Sequence, residues 1–216
     1  MNFEYRNLNI EQTFTKIYVE GKWGSSKKCP FYSGVGSHNK EITYPYIKGL
    51  TEFLKLLNKP SLVDAGCGDF NIGKNFINLT SKYYAYDVVE NLINYNSQKF
   101  KFEQLIFEKK DITKDKLPNA DVIIVRLVLQ HLSNQDILNF LKNIENKFNY
   151  LILTEHYMKE NFTPNKNKVR GSKIRLNSGI VLHKYPFNMK FIEKKNVLTI
   201  NIKPHKGSVN TIIYKF

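Results

Sequence analysis

Ser61-Leu62-Val63-Asp64-Ala65-Gly66-Cys67-Gly68-Asp69 is the stretch on which the fold turns. An apolar run that ends in an acidic residue and two glycines predicts a buried strand entering a tight turn, at the edge where open α/β sheets bind ligands. Gly66 and Gly68 carry no Cβ, so the backbone can bend sharply and admit a ligand to its N–H groups. A dinucleotide fingerprint would place a third glycine at position 71, where Asn71 stands, and NAD is therefore disfavoured.

Outward from that stretch the pattern alternates. Residues 70–79 have helical periodicity, residues 83–88 read as a strand, 90–99 as a helix, and 104–109 and 121–127 as further strands. Ser133 and Asp136 form a capping-box-like start for a helix reaching about Lys147, and residues 150–154 make a fifth strand. Upstream, Ile47, Leu50, Phe53, Leu54 and Leu57 recur at helical spacing before Pro60. The tail reads differently: residues 196–203 and 210–216 are β-rich and joined by Pro204-His205-Lys206-Gly207-Ser208, an antiparallel hairpin. The expected fold is α/β, a mostly parallel sheet with an antiparallel C-terminal hairpin. Asp87 ends the second strand, about twenty residues beyond the glycines, where a carboxylate can accept hydrogen bonds from both hydroxyls of an unphosphorylated ribose. A nucleoside ligand follows.

Composition narrows the setting. A length of 216 residues suits one domain. With 42% hydrophobic residues, no run approaches the roughly 20 apolar residues of a membrane span, and the first residues lack the pattern of a secretory signal, so a cytoplasmic location is expected. Cys29 and Cys67 have no metal-ligand or disulfide spacing, are expected to be reduced thiols, and leave no metal site to be expected. Cys67 lies in the glycine turn, but no base partner stands near it in sequence. The net charge of +14 raises nucleic acid as a partner, yet the lysines are scattered and arginines few, so nucleic acid is not expected. Residues 161–173, rich in Asn, Lys and Gly, read as a loop that could act as a flap.

Val63-Asp64-Ala65-Gly66-Cys67-Gly68-Asp69 resembles the first motif of class I S-adenosylmethionine-dependent methyltransferases, and Tyr86-Asp87-Val88-Val89 resembles their second. Lys110-Asp111-Ile112 and the stretch from Leu117 to Ser133 extend the likeness, which runs from about Leu62 to Thr154. The resemblance implies a Rossmann-like seven-stranded fold and S-adenosylmethionine as cofactor, with S-adenosylhomocysteine as product. It would set Asp64, Ala65, Gly66 and Gly68 at the methionine portion, Asp87 and Val88 at the ribose, Asp111 and Ile112 at the adenine, and Arg126 and Leu127 along the pocket by their backbone. Further upstream, Ile17-Tyr18, Trp23-Gly24-Ser25 and Ser33-Gly34-Val35-Gly36-Ser37 resemble a signature of small bacterial methyltransferases of capsule and other surface-polysaccharide gene clusters. That likeness makes Trp23, Ser33, Gly34 and Ser37 candidates for a lid over the cofactor and Arg175 and Asn177 candidates for acceptor binding, with Tyr157 after the fifth strand a further acceptor candidate. The chain is then expected to divide into an N-terminal lid and helices (1–58), a cofactor-binding core (59–157) and an acceptor-side loop with the C-terminal hairpin (158–216).

Three residues at strand ends are candidate bases for a sugar hydroxyl: His131, Glu155 and His156. Strand alternation lets only one of Glu155 and His156 point inward. His131 could instead pack before the Ser133 helix start, and Trp23 could be a core anchor or an aromatic wall facing a sulfonium. The expected reaction is O-methylation of a sugar or nucleotide-sugar. An RNA or other small-molecule methyltransferase, or a non-catalytic cofactor-binding partner of a glycosyltransferase, are the alternatives.

Overall fold

Leu62, Val63 and Ala65 of β1 (Ser61–Ala65) are fully buried, so both faces of the sheet built around this strand are covered. The computed structural model describes residues 5–24, 30–157, 162–175, 178–202 and 207–216. β1 pairs in parallel with β2 (Lys82–Asp87) on one side and β4 (Ala120–Arg126) on the other. β3 (Leu105–Lys109) adds beyond β2, and β5 (Phe148–Tyr157) beyond β4. β7 (Ser208–Lys215) then inserts antiparallel between β5 and β6 (Glu193–Asn201), giving the order β3-β2-β1-β4-β5-β7-β6. The expected seven-stranded, mostly parallel sheet with an antiparallel C-terminal hairpin is the sheet that forms. The hairpin connection at residues 203–206, like Ser25, Cys29 and residue 161, lies outside the described residues.

Period-two alternation sorts the strand side chains between two cores. Val63, Ala65, Ile123, Val125, Leu151 and Leu153 enter one, which also takes Ile10, Phe14 and Ile17 of α1 (Ile10–Val19) and Ile137, Phe140 and Ile144 of α5 (Asn134–Ile144). Leu62, Val122, Ile124 and Ile152 enter the other, against Tyr46, Leu50 and Leu54. Those last three belong to α3 (Lys40–Leu56), which follows the short α2 (Val35–His38) and begins at Asn39, whose side chain accepts the Glu41 N–H. α4 (Glu90–Lys99) packs beside β2 and β3. The Ser133–Asp136 capping box is present at the start of α5.

Residues 70–79 do not form the expected helix. They make two 3-10 turns, Gly73–Asn75 and Ile77–Leu79. Phe70, Ile72, Phe76 and Ile77 are buried as their spacing suggests, but Phe70 has φ +59° and so starts the segment in a non-helical conformation. The Asn75 amide then donates to the carbonyls of Ile72 (2.8 Å) and Asn71 (3.2 Å), competing with a helical ladder. β5 also outruns its expected end by three residues, because β7 pairs with it as far as Tyr157↔Ser208.

Candidate active site

At the carboxyl edge of β1 the chain folds back on β2, with the N–H groups of Gly66 and Cys67 both donating to Tyr86 O at 2.8 Å. Gly66 and Gly68 have φ of +85° and +55°. A Cβ on Gly66 would sit 2.6 Å from Val128 Cγ2, and one on Gly68 would run into Ser33 Oγ. Both glycines are thus required by backbone conformation and by space.

Two buried carboxyls stand over this turn. Asp87 accepts N–H groups from Gly68 and Val89, each at 3.1 Å, and burial outweighs these bonds to raise its pKa to about 6. Asp64 accepts the Tyr83 hydroxyl at 2.8 Å, and burial raises it to about 7. The turn floors a cleft of ≈ 260 Å³ lined also by Val88, Asp111, Ile112, Leu127 and Val128. Asp111 accepts the backbone N–H (3.0 Å) and hydroxyl (2.7 Å) of Thr113, which fixes the loop after β3. Ala65 does not reach the cleft: it points into the core and is fully buried.

Asp69, the residue after the glycines, fastens the N-terminal lid. Its carboxylate accepts the Ser33 N–H at 2.9 Å and lies 2.6 Å from His38 Nε2, while its own N–H donates to Ser33 Oγ at 2.8 Å. Tyr18 Oη lies 2.8 Å from Ser33 Oγ. Arg126 reaches the lid with its side chain, not its backbone alone as expected. It donates to Gly36 O at 2.6 Å and Ser37 Oγ at 3.4 Å, and its guanidinium carbon sits 4.9 Å from the Tyr46 ring centre. Arg126 Nε is buried with no hydrogen-bond partner among the described residues. Trp23, Ser33, Gly34 and Ser37 all line the cleft.

The acceptor-side candidates separate. His131 lines the cleft, 5.1 Å from the Trp23 ring. Its Nδ1 lies 3.1 Å from Gly171 O and its Nε2 3.4 Å from the Gln130 amide nitrogen, which fits a neutral imidazole donating from Nδ1 and accepting at Nε2. Burial, followed by the charge of Lys168, lowers its pKa to about 3. Glu155 is the main correction. It is fully buried below the cleft, accepting the N–H groups of Leu129 (2.8 Å) and Gln130 (3.3 Å), with its pKa raised to about 8 by burial. His156, the next residue, is also buried and does not line the cleft, so neither of the pair points into it. The physical reason is the length of β5: both residues are still inside the sheet, paired with Asn210 and Val209. Tyr157 donates its hydroxyl to Ile180 O at 2.7 Å, and Arg175 donates to Leu132 O at 2.7 Å and to Lys166 O; neither lines the cleft. Asn177 lies outside the described residues.

Several lining residues escaped the sequence reading: Phe14, Tyr18, Asp69, Gln130, Ser172 and Ile174. Asp69 carried a signal, an acid directly after the second glycine. The others are brought in by long-range contacts. Among the described residues no group of His, Cys, Asp and Glu is arranged to hold a metal ion, and no helix is long and apolar enough to cross a membrane.

Residues 63–147 match the family model of the methyltransferase domain. The matched stretch runs from β1 to just past α5 and contains the glycine turn, Asp87, Asp111 and His131. No curated protein matches the sequence. Among solved structures, human N-acetylserotonin methyltransferase in complex with SAM superimposes with a TM-score of 0.64 at 17% identity, over 96% of this chain and 60% of that one. The chain thus spans about three-fifths of that relative's length. The N-methyltransferase NodS from Bradyrhizobium japonicum WM9, in complex with S-adenosylhomocysteine, gives 0.66 at 12% identity, over 94% and 98% of the two chains. The methyltransferase domain of a bacterial Hen1 gives 0.57 at 15%, over 82% and 99%. The fold is the Rossmann-like methyltransferase fold.

Proposed function

We propose that the cleft binds S-adenosylmethionine and that the protein transfers its methyl group to a hydroxyl of a small polar acceptor, a bacterial surface-glycan sugar or its nucleotide-activated precursor. The observation that carries this reading is the continuity of one cleft, from the glycine floor and Asp87 at one end to Trp23 and His131 at the other. The residues fit the cofactor. The glycine turn keeps the floor of the cleft free of side chains, Asp87 offers a carboxylate to ribose hydroxyls, and Arg126 offers a buried N–H, without a partner among the described residues, to the amino-acid end. When bound, S-adenosylmethionine supplies a methyl group already activated by its sulfonium. The chain therefore has mainly to align the reactants and keep water out.

His131 suits orientation better than proton storage. With Nδ1 committed to Gly171 O, Nε2 can exchange its long 3.4 Å contact with the Gln130 amide for a hydrogen bond from an acceptor hydroxyl, and a pKa of about 3 makes it a weak base. A second reading, transfer to RNA, is favoured by the net charge of +14.

Calorimetric titration with S-adenosylhomocysteine tests the cofactor site, and labelled cofactor offered to sugars, nucleotide-sugars and RNA tests the acceptor. Heat on titration and label in a sugar or nucleotide-sugar are the expected results. Label in RNA alone would replace the glycan reading with the second one, binding without transfer to any of them would leave a cofactor-binding module, and absence of heat would remove the proposal.

A further inference from the structure

Beside the cleft, across the segment that runs from Arg170 to Ser172, lies a second cavity of ≈ 500 Å³ lined by Tyr5, Arg6, Ser133, Asn167, Lys168 and Arg170. The two have no lining residue in common, but their linings are close in sequence: Leu132 and Ser172 line the cleft, Ser133 and Arg170 the cavity. Three cations border it. An acid at its edge, Asp136, is held by Arg170 in two bonds of 3.2 and 2.7 Å. Lys168 donates to the carbonyls of Gln130 (3.3 Å) and Lys173, and among the described residues no carboxylate is within ion-pair distance of it. Burial and the charge of Arg175 together lower the Lys168 pKa to about 8, the mark of an ammonium without a counter-charge.

Two further observations point to a ligand. Tyr5 is 1% exposed, and its hydroxyl has no hydrogen-bond partner among the described residues. The cavity also lies at the start of α5, eleven residues long, whose aligned peptides add partial positive charge there.

We propose that this cavity is the anion subsite of the acceptor, holding the phosphates of a nucleotide-activated sugar whose sugar ring lies in the cleft beside His131. The assignment rests on the methyl-transfer reading given above. Lys168 supplies the central charge-assisted hydrogen bond, Arg6 closes the exposed rim, and the Tyr5 hydroxyl donates from the buried wall. Because Lys168 also touches the carbonyl of Gln130, whose amide meets His131 Nε2, an occupied subsite is linked to the imidazole that orients the hydroxyl.

The test is calorimetry with inorganic pyrophosphate and with uridine diphosphate on the protein saturated with S-adenosylhomocysteine. Both probes should bind, and Lys168→Gln and Arg6→Gln should each weaken them about tenfold, the effect of losing one charge-assisted bond. Lys168→Arg should recover most of the loss, and S-adenosylhomocysteine affinity should be the same in all forms. Arg6→Gln, at an exposed position, keeps the test available if Lys168→Gln lowers the melting temperature. If S-adenosylhomocysteine binds but the anions do not, or bind all variants equally, the subsite is overturned while the methyl-transfer reading stands. If S-adenosylhomocysteine itself fails to bind, that reading falls and the acceptor assignment with it.

Discussion

Trp23 donates its indole N–H to the carbonyl oxygen of Ser172 across 3.3 Å, so the N-terminal lid and the loop after β5 meet directly over the cleft. Trp23 is the one tryptophan of the chain, which makes intrinsic fluorescence a reporter of this contact. Addition of S-adenosylhomocysteine should change the emission. Trp23→Phe keeps an aromatic face but loses the bond, and calorimetry should show cofactor binding weakened about fivefold, the effect of roughly 1 kcal/mol.

Gly68→Ala should be far more damaging. The new methyl group meets Ser33 Oγ, and φ of +55° is unfavourable for alanine. Ser33 is also the acceptor of the Asp69 N–H, so the lid cannot move aside without losing that bond. S-adenosylhomocysteine affinity should fall at least about tenfold, beyond the effect of one lost hydrogen bond.

Glu155→Ala should act on stability first. Its carboxyl holds the N–H groups of Leu129 and Gln130 in the interior, and truncation leaves both without an acceptor, at a cost of about 1–3 kcal/mol for each buried group. Thermal unfolding should reveal a lower midpoint in the absence of any ligand. A variant with unchanged unfolding and abolished turnover would return Glu155 to a role in catalysis.

Asp64 gives the fold a pH dependence. Its folded pKa of about 7 lies above the ordinary value of 3.8, so the folded state holds the proton more tightly than the unfolded chain. Its contribution is complete below about pH 4 and is lost as pH rises through 7, at about 1.4 kcal/mol per pH unit within that window. Asp64→Asn should flatten the dependence of the unfolding free energy on pH between 4 and 7, measured by denaturant titration.

His131→Asn should lower kcat while leaving cofactor affinity intact. Because the imidazole stays neutral, with a pKa of about 3, the wild-type rate should show no inflection from this residue between pH 5 and 8. A kcat loss of about tenfold fits an orienting hydrogen bond; a general base would give a loss of a hundredfold or more. An inflection near 6.5 that disappears in the variant would establish His131 as the base.

The parallel strands were legible because each is an apolar run of the right length, and the glycines and Asp87 because their spacing follows from strand geometry. Residues 70–79 misled because burial spacing is the same whether a backbone coils as one helix or as two separate turns; Phe70 at φ +59° distinguishes them, and nothing in its side chain announces that. Glu155 and His156 misled for a tertiary reason. A strand end is set by its partner, and β7 lies more than fifty residues downstream of β5 in sequence. The bonds from Asp69 to Ser33 and His38, and from Arg126 to Gly36, join residues 31 to 90 positions apart, beyond any local pattern.

The turns Gly73–Asn75 and Ile77–Leu79 have a chemical consequence. Three residues each, they line up too few peptide units to build the positive pole that a full helix would aim at the glycine floor. The floor therefore offers the pyrophosphate of a dinucleotide no helix-terminal field. Asn71 does not line the cleft and donates its amide to Ser37 O at 2.7 Å, so Asn71→Gly would remove that tie without supplying attraction for a pyrophosphate.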